Sequence, residues 1–191
     1  TAMEVYPHAG AKANRSNLTF TFPSGGRIAF RHLQYEQTIY NWQGAQVPWI
    51  GFDEGTHFTE RQFLYLLSRN RTAFGTPPRV RLTCNPDANS WLAGFLSWWI
   101  DQDRGTPDPS RAGRVRWLYR DDDENHWHDT RAAAEAAHPE LAAVAPPKSV
   151  AFVPATLDDN QELLRANPEY KANLLAQSRV ERERLLGGNW K

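Results

Sequence analysis

Hydrophobic and polar positions alternate in two short runs near the start of the chain. Leu18-Thr19-Phe20-Thr21-Phe22 is apolar at every second position, Pro23 to Gly26 supplies a turn, and Arg27-Ile28-Ala29-Phe30 resumes the alternation. A period of two broken by a proline and glycine cluster predicts a β-hairpin with one half-buried face. The preceding residues, 1–17, are polar and irregular, and no element is predicted there. Further on, Trp49-Ile50-Gly51-Phe52 is an apolar run that ends in adjacent carboxylates, Asp53-Glu54. The period then changes to that of a helix. Thr59 is its N-cap, Gln62 completes a capping box, and Phe58 with Phe63 forms a hydrophobic staple. Phe63, Leu66 and Leu67 make the stripe that such a helix buries.

Gly75-Thr76-Pro77-Pro78 breaks the chain ahead of a second strand, Arg79-Val80-Arg81-Leu82-Thr83-Cys84-Asn85, whose end is polar. Ser90 caps a short helix with tryptophans and leucines nearly all round, the mark of core or interface. Trp91, Trp98 and Trp99 at helical spacing read as packing rather than as a base-stacking surface. Asp101 to Gly113 reads as a loop, Arg114 to Tyr119 as a strand, Asp129 to Ala137 as an alanine-rich surface helix and Ser149 to Pro154 as the last strand. Beyond Asp158 the chain is polar and helical, with Asn167-Pro168 starting one helix and Gly187-Gly188 ending another. Strands and helices together give an α/β chain, and 191 residues suit one domain or a domain and a half.

Composition narrows the partners. The 22 basic residues balance 22 acidic ones, so no global basic field advertises a nucleic acid and such contacts must come from local patches. Apart from Lys12, Lys148, Lys171 and Lys191 the basic residues are arginine, which suits bidentate phosphate contacts. A single cysteine, Cys84, excludes an internal disulfide, fits a reducing compartment and is expected to be buried and inert. No charged-then-apolar leader opens the sequence, and its longest apolar run, Trp91 to Ile100, falls short of the ~20 residues that span a bilayer. A soluble, intracellular protein is expected.

The candidate chemistry lies where the two strand patterns end. In open α/β sheets working groups collect at the carboxyl ends of strands. Nucleotide hydrolysis needs an acid for Mg²⁺ and a second group to orient water, and Asp53 and Glu54 offer that pair. The bland alternative is a helix N-terminus, where acids suit the macrodipole. Asn85 adds an amide that can hydrogen-bond a phosphate or the attacking water. A phosphate cradle of the form G-x-x-x-x-G-K-[ST] is missing, because none of the four lysines follows a glycine-rich loop. Pro23 to Gly26 has the glycines for one, but it lies between alternating runs and is a hairpin turn. The acidic and histidine-rich run Asp121 to Asp129 invites a metal reading and reads better as a solvated loop. Arg69, Arg71, Arg79 and Arg81 cluster around one loop, as a solvated edge or as a contact for phosphate or a neighbouring subunit.

These residues resemble the large subunit of tailed-phage terminases, the DNA-packaging motor, in the later part of its ATPase domain. Val47 to Phe58 is similar to the family's Walker B segment and the helix after it, Leu82-Thr83-Cys84-Asn85-Pro86 to its coupling motif, and Phe152 to Trp190 to the segment joining ATPase and nuclease. The resemblance implies a partial additional-strand, P-loop NTPase-like sheet with flanking helices and a small C-terminal helical lid or linker. It divides the chain into 1–148, a partial ATPase domain with Walker B and coupling motif but no Walker A, and 149–191, a lid or linker leading toward an RNase H-like nuclease. It also implies Asp53 as a Mg²⁺ ligand, Glu54 as the activator of water, Asn85 as the coupling residue, and Mg²⁺ and ATP as cofactors of the parent. Double-stranded DNA, the small terminase subunit and the portal are the implied partners, with a possible homo-oligomer, no membrane, and the cytoplasm of a bacterial host as location. Gly55 stands where the family often has alanine and Gln161 where it often has proline; neither is expected to alter the chemistry. Without the cradle, this chain alone is expected to bind nucleotide weakly and to show little or no ATPase and no nuclease activity. The family's missing first strand would leave the edge beside Asn85 unpaired, and cover by another segment or chain is expected there. Competing readings are another additional-strand ATPase of helicase type and a non-catalytic remnant that binds DNA or serves assembly.

Overall fold

In the computed structural model, which describes residues 1–73 and 75–191, the stretch read as irregular is ordered. Ala2–Val5 is a helical turn (α1), Tyr6–Ala9 a 3-10 turn, and Lys12–Asn14 a strand (β1). β1 pairs antiparallel with Thr19–Thr21 (β2), which pairs antiparallel with Arg27–Ala29 (β3) and sets Phe20 opposite Ile28. The expected hairpin is therefore the inner and outer part of a three-stranded sheet. Lys-Ala-Asn has no alternation to announce a strand; β1 exists because β2 offers it a ladder. Buried Phe20 anchors the unit, with Tyr6 edge-on at 5.0 Å and Phe30 at 6.2 Å.

Trp49–Phe52 (β4) and Arg79–Leu82 (β5) form a parallel pair, with Phe52 beside Leu82. The helix Glu60–Leu67 (α2) lies between them in sequence, as parallel pairing requires of a crossover. Its start is as the sequence predicts: Thr59 accepts the Gln62 N–H at 3.1 Å and Gln62 Oε1 accepts the Thr59 N–H at 3.0 Å. The staple works through a third ring, since Phe58 and Phe63 each lie 5.3 Å from buried Phe52. Gln62 is itself buried, which a polar residue tolerates because Nε2 also donates to the Leu33 carbonyl at 3.3 Å.

Two expectations are corrected here, the position of Asn85 at a strand end and the single partial open sheet. Strand pairing stops at Leu82, so Asn85 stands in the extended segment beyond β5 rather than at a strand's last position. The sheet containing β4 and β5 has two strands, and no strand among the described residues covers the outer edge of β5. A parallel sheet is normally buried on both faces; here Phe52 is buried and Ile50, Val80 and Leu82 are half-buried, whereas Trp49, Gly51, Arg79 and Arg81 are exposed on the opposite face. The chain is mixed α/β with three small sheets, two of them antiparallel, rather than one partial open sheet.

Trp91–Phe95 (α3) begins at Ser90, whose hydroxyl donates not to the helix but to the Asp87 carbonyl at 2.8 Å. With the 3-10 turn after it, α3 supplies the core: Leu92, Leu96, Trp99 and Ile100, joined by Trp190. Trp99 is 0% exposed, and its indole N–H donates to the Arg114 carbonyl at 3.0 Å. Against this core lies the third sheet, Val115–Asp121 (β6) between Glu124–His128 (β7) and Lys148–Ala151 (β8). The acidic run is thus a hairpin and not a loop: Asp122 and Asp123, both with positive φ, make the turn, and Asp121 and Glu124 to His128 are strand. Trp127 draws β7 inward, lying 5.0 Å from Phe95 and 5.4 Å from Trp99.

The alanine-rich helix runs Arg131–Ala137 (α4), capped by Thr130, and is not wholly superficial because Ala134 is fully buried. Pro139–Ala142 (α5) follows it. Gln161–Ala166 (α6), Tyr170–Leu175 (α7) and Arg179–Gly187 (α8) contain no buried residue. Gly188, left-handed at φ 65°, ends α8 and returns the chain to the core, where the Trp190 N–H donates to the Gly105 carbonyl at 2.8 Å.

Candidate functional site

The parallel register of β4 and β5 brings their two C-terminal ends side by side, and the chain beyond each stays in contact. Thr83 donates its N–H to the Phe52 carbonyl at 2.9 Å, and its carbonyl accepts the Gly55 N–H at 2.7 Å. The Thr83 hydroxyl donates to Asp53 Oδ1 at 2.8 Å. The Asn85 amide nitrogen lies 3.4 Å from both carboxylate oxygens of Glu54, long contacts shared evenly between them. Thr56 adds a 3.4 Å hydroxyl contact to the Asn85 carbonyl. Asp53, Glu54 and Asn85, the residues singled out in the sequence, are therefore gathered in one place, and all three are exposed.

Backbone geometry explains how adjacent acids meet donors from a single strand. In an extended chain neighbouring side chains point to opposite faces, while residues two apart share one. Thr83 and Asn85 are two apart. Asp53 and Glu54 are adjacent, but Glu54 adopts φ 52°, ψ 55°, a left-handed conformation costing about 1–2 kcal/mol in a residue with a Cβ. That turn lets both carboxylates be met from the β5 side. Gly55 is buried directly behind it, and a Cβ there would fall 2.3 Å from Leu82 Cγ. Glycine at this position is thus a packing requirement of this chain.

Cys84, between the two donors, faces the core and is half-buried rather than buried. Desolvation, reinforced by the Glu54 charge, pushes its pKa up to about 11, so it remains a thiol at neutral pH and is a poor nucleophile. The donors to Asp53 and Glu54 are neutral, a hydroxyl and an amide, which leaves the negative charge of the pair available to a cation.

Other candidates fall away from this place. Among the described residues no three histidine, cysteine, aspartate or glutamate side chains gather as a metal-ligand group. His126 and His128 instead stack against His138, at 4.7 and 5.3 Å between ring centres, where β7 meets the end of α4. The arginine cluster is divided: Arg69 covers the Tyr65 ring at 5.2 Å, while Arg79 and Arg81 lie on the open face of β5. The tryptophans pack. Trp91 donates to the Phe58 carbonyl at 2.9 Å, and Trp98 lies under Arg111 and Arg116 at 5.2 and 4.7 Å.

Sequence reasoning missed Thr83 and the reason for Gly55. The signal for Thr83 was its place two residues before Asn85 on an extended segment, hence on the same face; the close approach of Leu82 to Gly55 has no sequence signature.

A magnesium ion suits the oxygens present. Mg²⁺ keeps several waters and takes one or two carboxylates plus substrate phosphates rather than an all-protein cage, so one strand-end carboxylate, Asp53, is an adequate protein contribution. Among the described residues no helix is long and apolar enough to cross a membrane. Comparison with curated proteins and with solved structures gives no match. A family model described as terminase large subunit, T4likevirus-type, N-terminal, matches residues 7–191. With the match extending over nearly the whole sequence, including both strand ends and the residues between them, the chain belongs to the terminase large subunit family of this type.

Proposed function

We propose that the paired strand ends are the hydrolytic edge of a packaging ATPase, which uses Mg²⁺ and ATP to drive double-stranded DNA into a phage capsid. The observation that carries this reading is the Asn85 amide nitrogen placed 3.4 Å from each oxygen of Glu54, between the segments that follow two parallel strands. A residue so placed feels any change at Glu54 and passes it to the segment leading into α3. Asp53 would hold Mg²⁺ through a carboxylate already oriented by Thr83, and Glu54 would orient and deprotonate the attacking water. Held there, Mg²⁺ would supply positive charge to offset that of the phosphates. Residues 1–148 would form the ATPase part, and 149–191 a lid or linker. The small subunit and the portal are the protein partners that fit such a motor.

This sequence has no lysine in a glycine-rich loop to grip phosphates. The reading therefore assigns tight nucleotide binding to the complete large subunit and weak binding to the chain as given. Calorimetry with Mg²⁺ and ATP on both forms tests it. The complete subunit should bind, and Glu54→Ala should lower its turnover by at least about a hundredfold, the low end for loss of a general base. Tight binding by the chain as given, or a Glu54→Ala subunit that keeps its turnover, would overturn the assignment.

A further inference from the structure

We infer that Thr83 is a positioning residue that fixes which oxygen of Asp53 is presented to a divalent cation; the inference rests on reading Asp53 as a Mg²⁺ ligand. Every polar group of Thr83 is committed to the four residues from Phe52 to Gly55. Its N–H goes to Phe52, its carbonyl to Gly55, and its hydroxyl, 2.8 Å from Asp53 Oδ1, also lies 3.4 Å from the Phe52 carbonyl. Asp53 is thus bracketed by backbone bonds on either side in sequence and held by a side-chain bond in the middle.

That arrangement has a chemical consequence. An exposed aspartate at a strand end is free to rotate and offers either oxygen, and a cation that keeps near-octahedral geometry loses affinity when its ligand wanders. A hydroxyl donor on Oδ1 fixes the carboxylate plane and leaves Oδ2 as the oxygen for the ion, as partners of metal-ligating carboxylates generally do. The same extended segment carries Asn85 two residues later. One extended segment therefore sets both carboxylates, and a shift of residues 83–85 moves the donor of the metal ligand together with the donor of the water-orienting group.

The test uses the complete large subunit with Thr83→Val, which keeps the branched shape and loses the hydroxyl, and Thr83→Ser, which keeps the hydroxyl. Thr83→Ala replaces the valine variant if valine impairs folding. Manganese affinity in the presence of ATP is read by electron paramagnetic resonance, and the Mg²⁺ concentration for half-maximal turnover is measured alongside it. Loss of a hydrogen bond to a charged group on an exposed carboxylate should weaken Mn²⁺ binding and raise the Mg²⁺ requirement by about three- to tenfold. Turnover at saturating Mg²⁺ should change less than about twofold, and serine should restore both readings, because only the positioning is lost. Wild-type Mn²⁺ affinity in Thr83→Val, or serine as impaired as valine, would sink the inference. If Asp53→Ala leaves Mn²⁺ affinity intact, the fault lies with Asp53 as the metal ligand.

Discussion

Asp53-Glu54 and Asp121-Asp122-Asp123-Glu124 are both acid runs at the ends of strands, and both contain non-glycine residues with positive φ, Glu54 in the first and Asp122 and Asp123 in the second. Their surroundings differ. After β4 the acids meet neutral donors from the extended segment that follows the adjacent parallel strand, Thr83 and Asn85. After β6 the chain doubles back, Asp121 pairs with Glu124, and Asp123 is 98% exposed at the turn. The donor there is Arg120, which spends its guanidinium on Glu60 of α2 and Asn125 at 3.0 Å each and on Asp123 at 3.4 Å. Parallel pairing sets two C-terminal ends beside each other, so groups from distant sequence converge on the acids themselves, whereas the acids of a hairpin turn face their own return strand. Acidity alone does not mark a reactive site. Convergence of neutral donors is what sets the Asp53-Glu54 run apart.

The largest contrast should come from the asparagine in each region. Asn85→Ala in the complete subunit should cut ATP turnover about tenfold or more, as loss of a preorganised donor does, tempered by its long contacts. Asn125→Ala should leave turnover within about twofold and cost roughly 1 kcal/mol of stability through Arg120. Equal effects on turnover would erase the distinction between the two runs. Next in size is a steric test. Gly55→Ala should destabilise the fold by about 1–3 kcal/mol in urea, an overpacking cost, because its Cβ meets Leu82. Adding Leu82→Ala should make the two changes non-additive in the favourable direction.

A smaller effect belongs to the β6–β7 side. His128 is held below its ordinary pKa chiefly by desolvation, then by His138, Arg116 and His126, against a weaker opposite pull from Asp129. The unfolded chain therefore takes up this proton first, so stability should fall as pH drops below about 6.5 and level off once the folded form is protonated. His128→Phe should flatten that slope in urea melts between neutral and mildly acid pH. An unchanged slope would place the acid sensitivity elsewhere.

How much of this was legible depends on whether the cause was local. The capping box of α2, the turn between β2 and β3 and the carboxylates after β4 follow from neighbouring residues, and the sequence reading placed each within a residue or two. β1 was invisible because its pairing with β2 is tertiary. The hairpin in the acidic run was hidden by composition: charge pointed to solvent, whereas Trp127 packing on Phe95 and Trp99 fixed a strand. Asp53 and Glu54 were legible as acids directly after a strand, and Asn85 as a polar residue following the second, though not as lying three residues beyond it. Their mutual contacts were not, since register and the left-handed turn at Glu54 are set by pairing across some 30 residues.

Glycine replacement at the strained positions offers the finest comparison. Glu54 and Asp123 share the left-handed region, where a Cβ costs energy that glycine avoids, less its greater freedom in the unfolded chain. Asp123 occupies a two-residue hairpin turn with positive φ at both positions, where glycine is preferred, and its ion pair with Arg120 is solvent-exposed and worth little. Asp123→Gly should raise stability by a few tenths of a kcal/mol and leave turnover unchanged. Glu54→Gly should gain a comparable amount while abolishing turnover. If both are stabilised and only the second is silenced, the strain at Glu54 is retained for the position it gives a reacting group, as strain at functional sites commonly is. If Glu54→Gly is destabilised instead, the Asn85 contact contributes more to the fold than to hydrolysis, and the two acid runs are nearer in kind than their surroundings suggest.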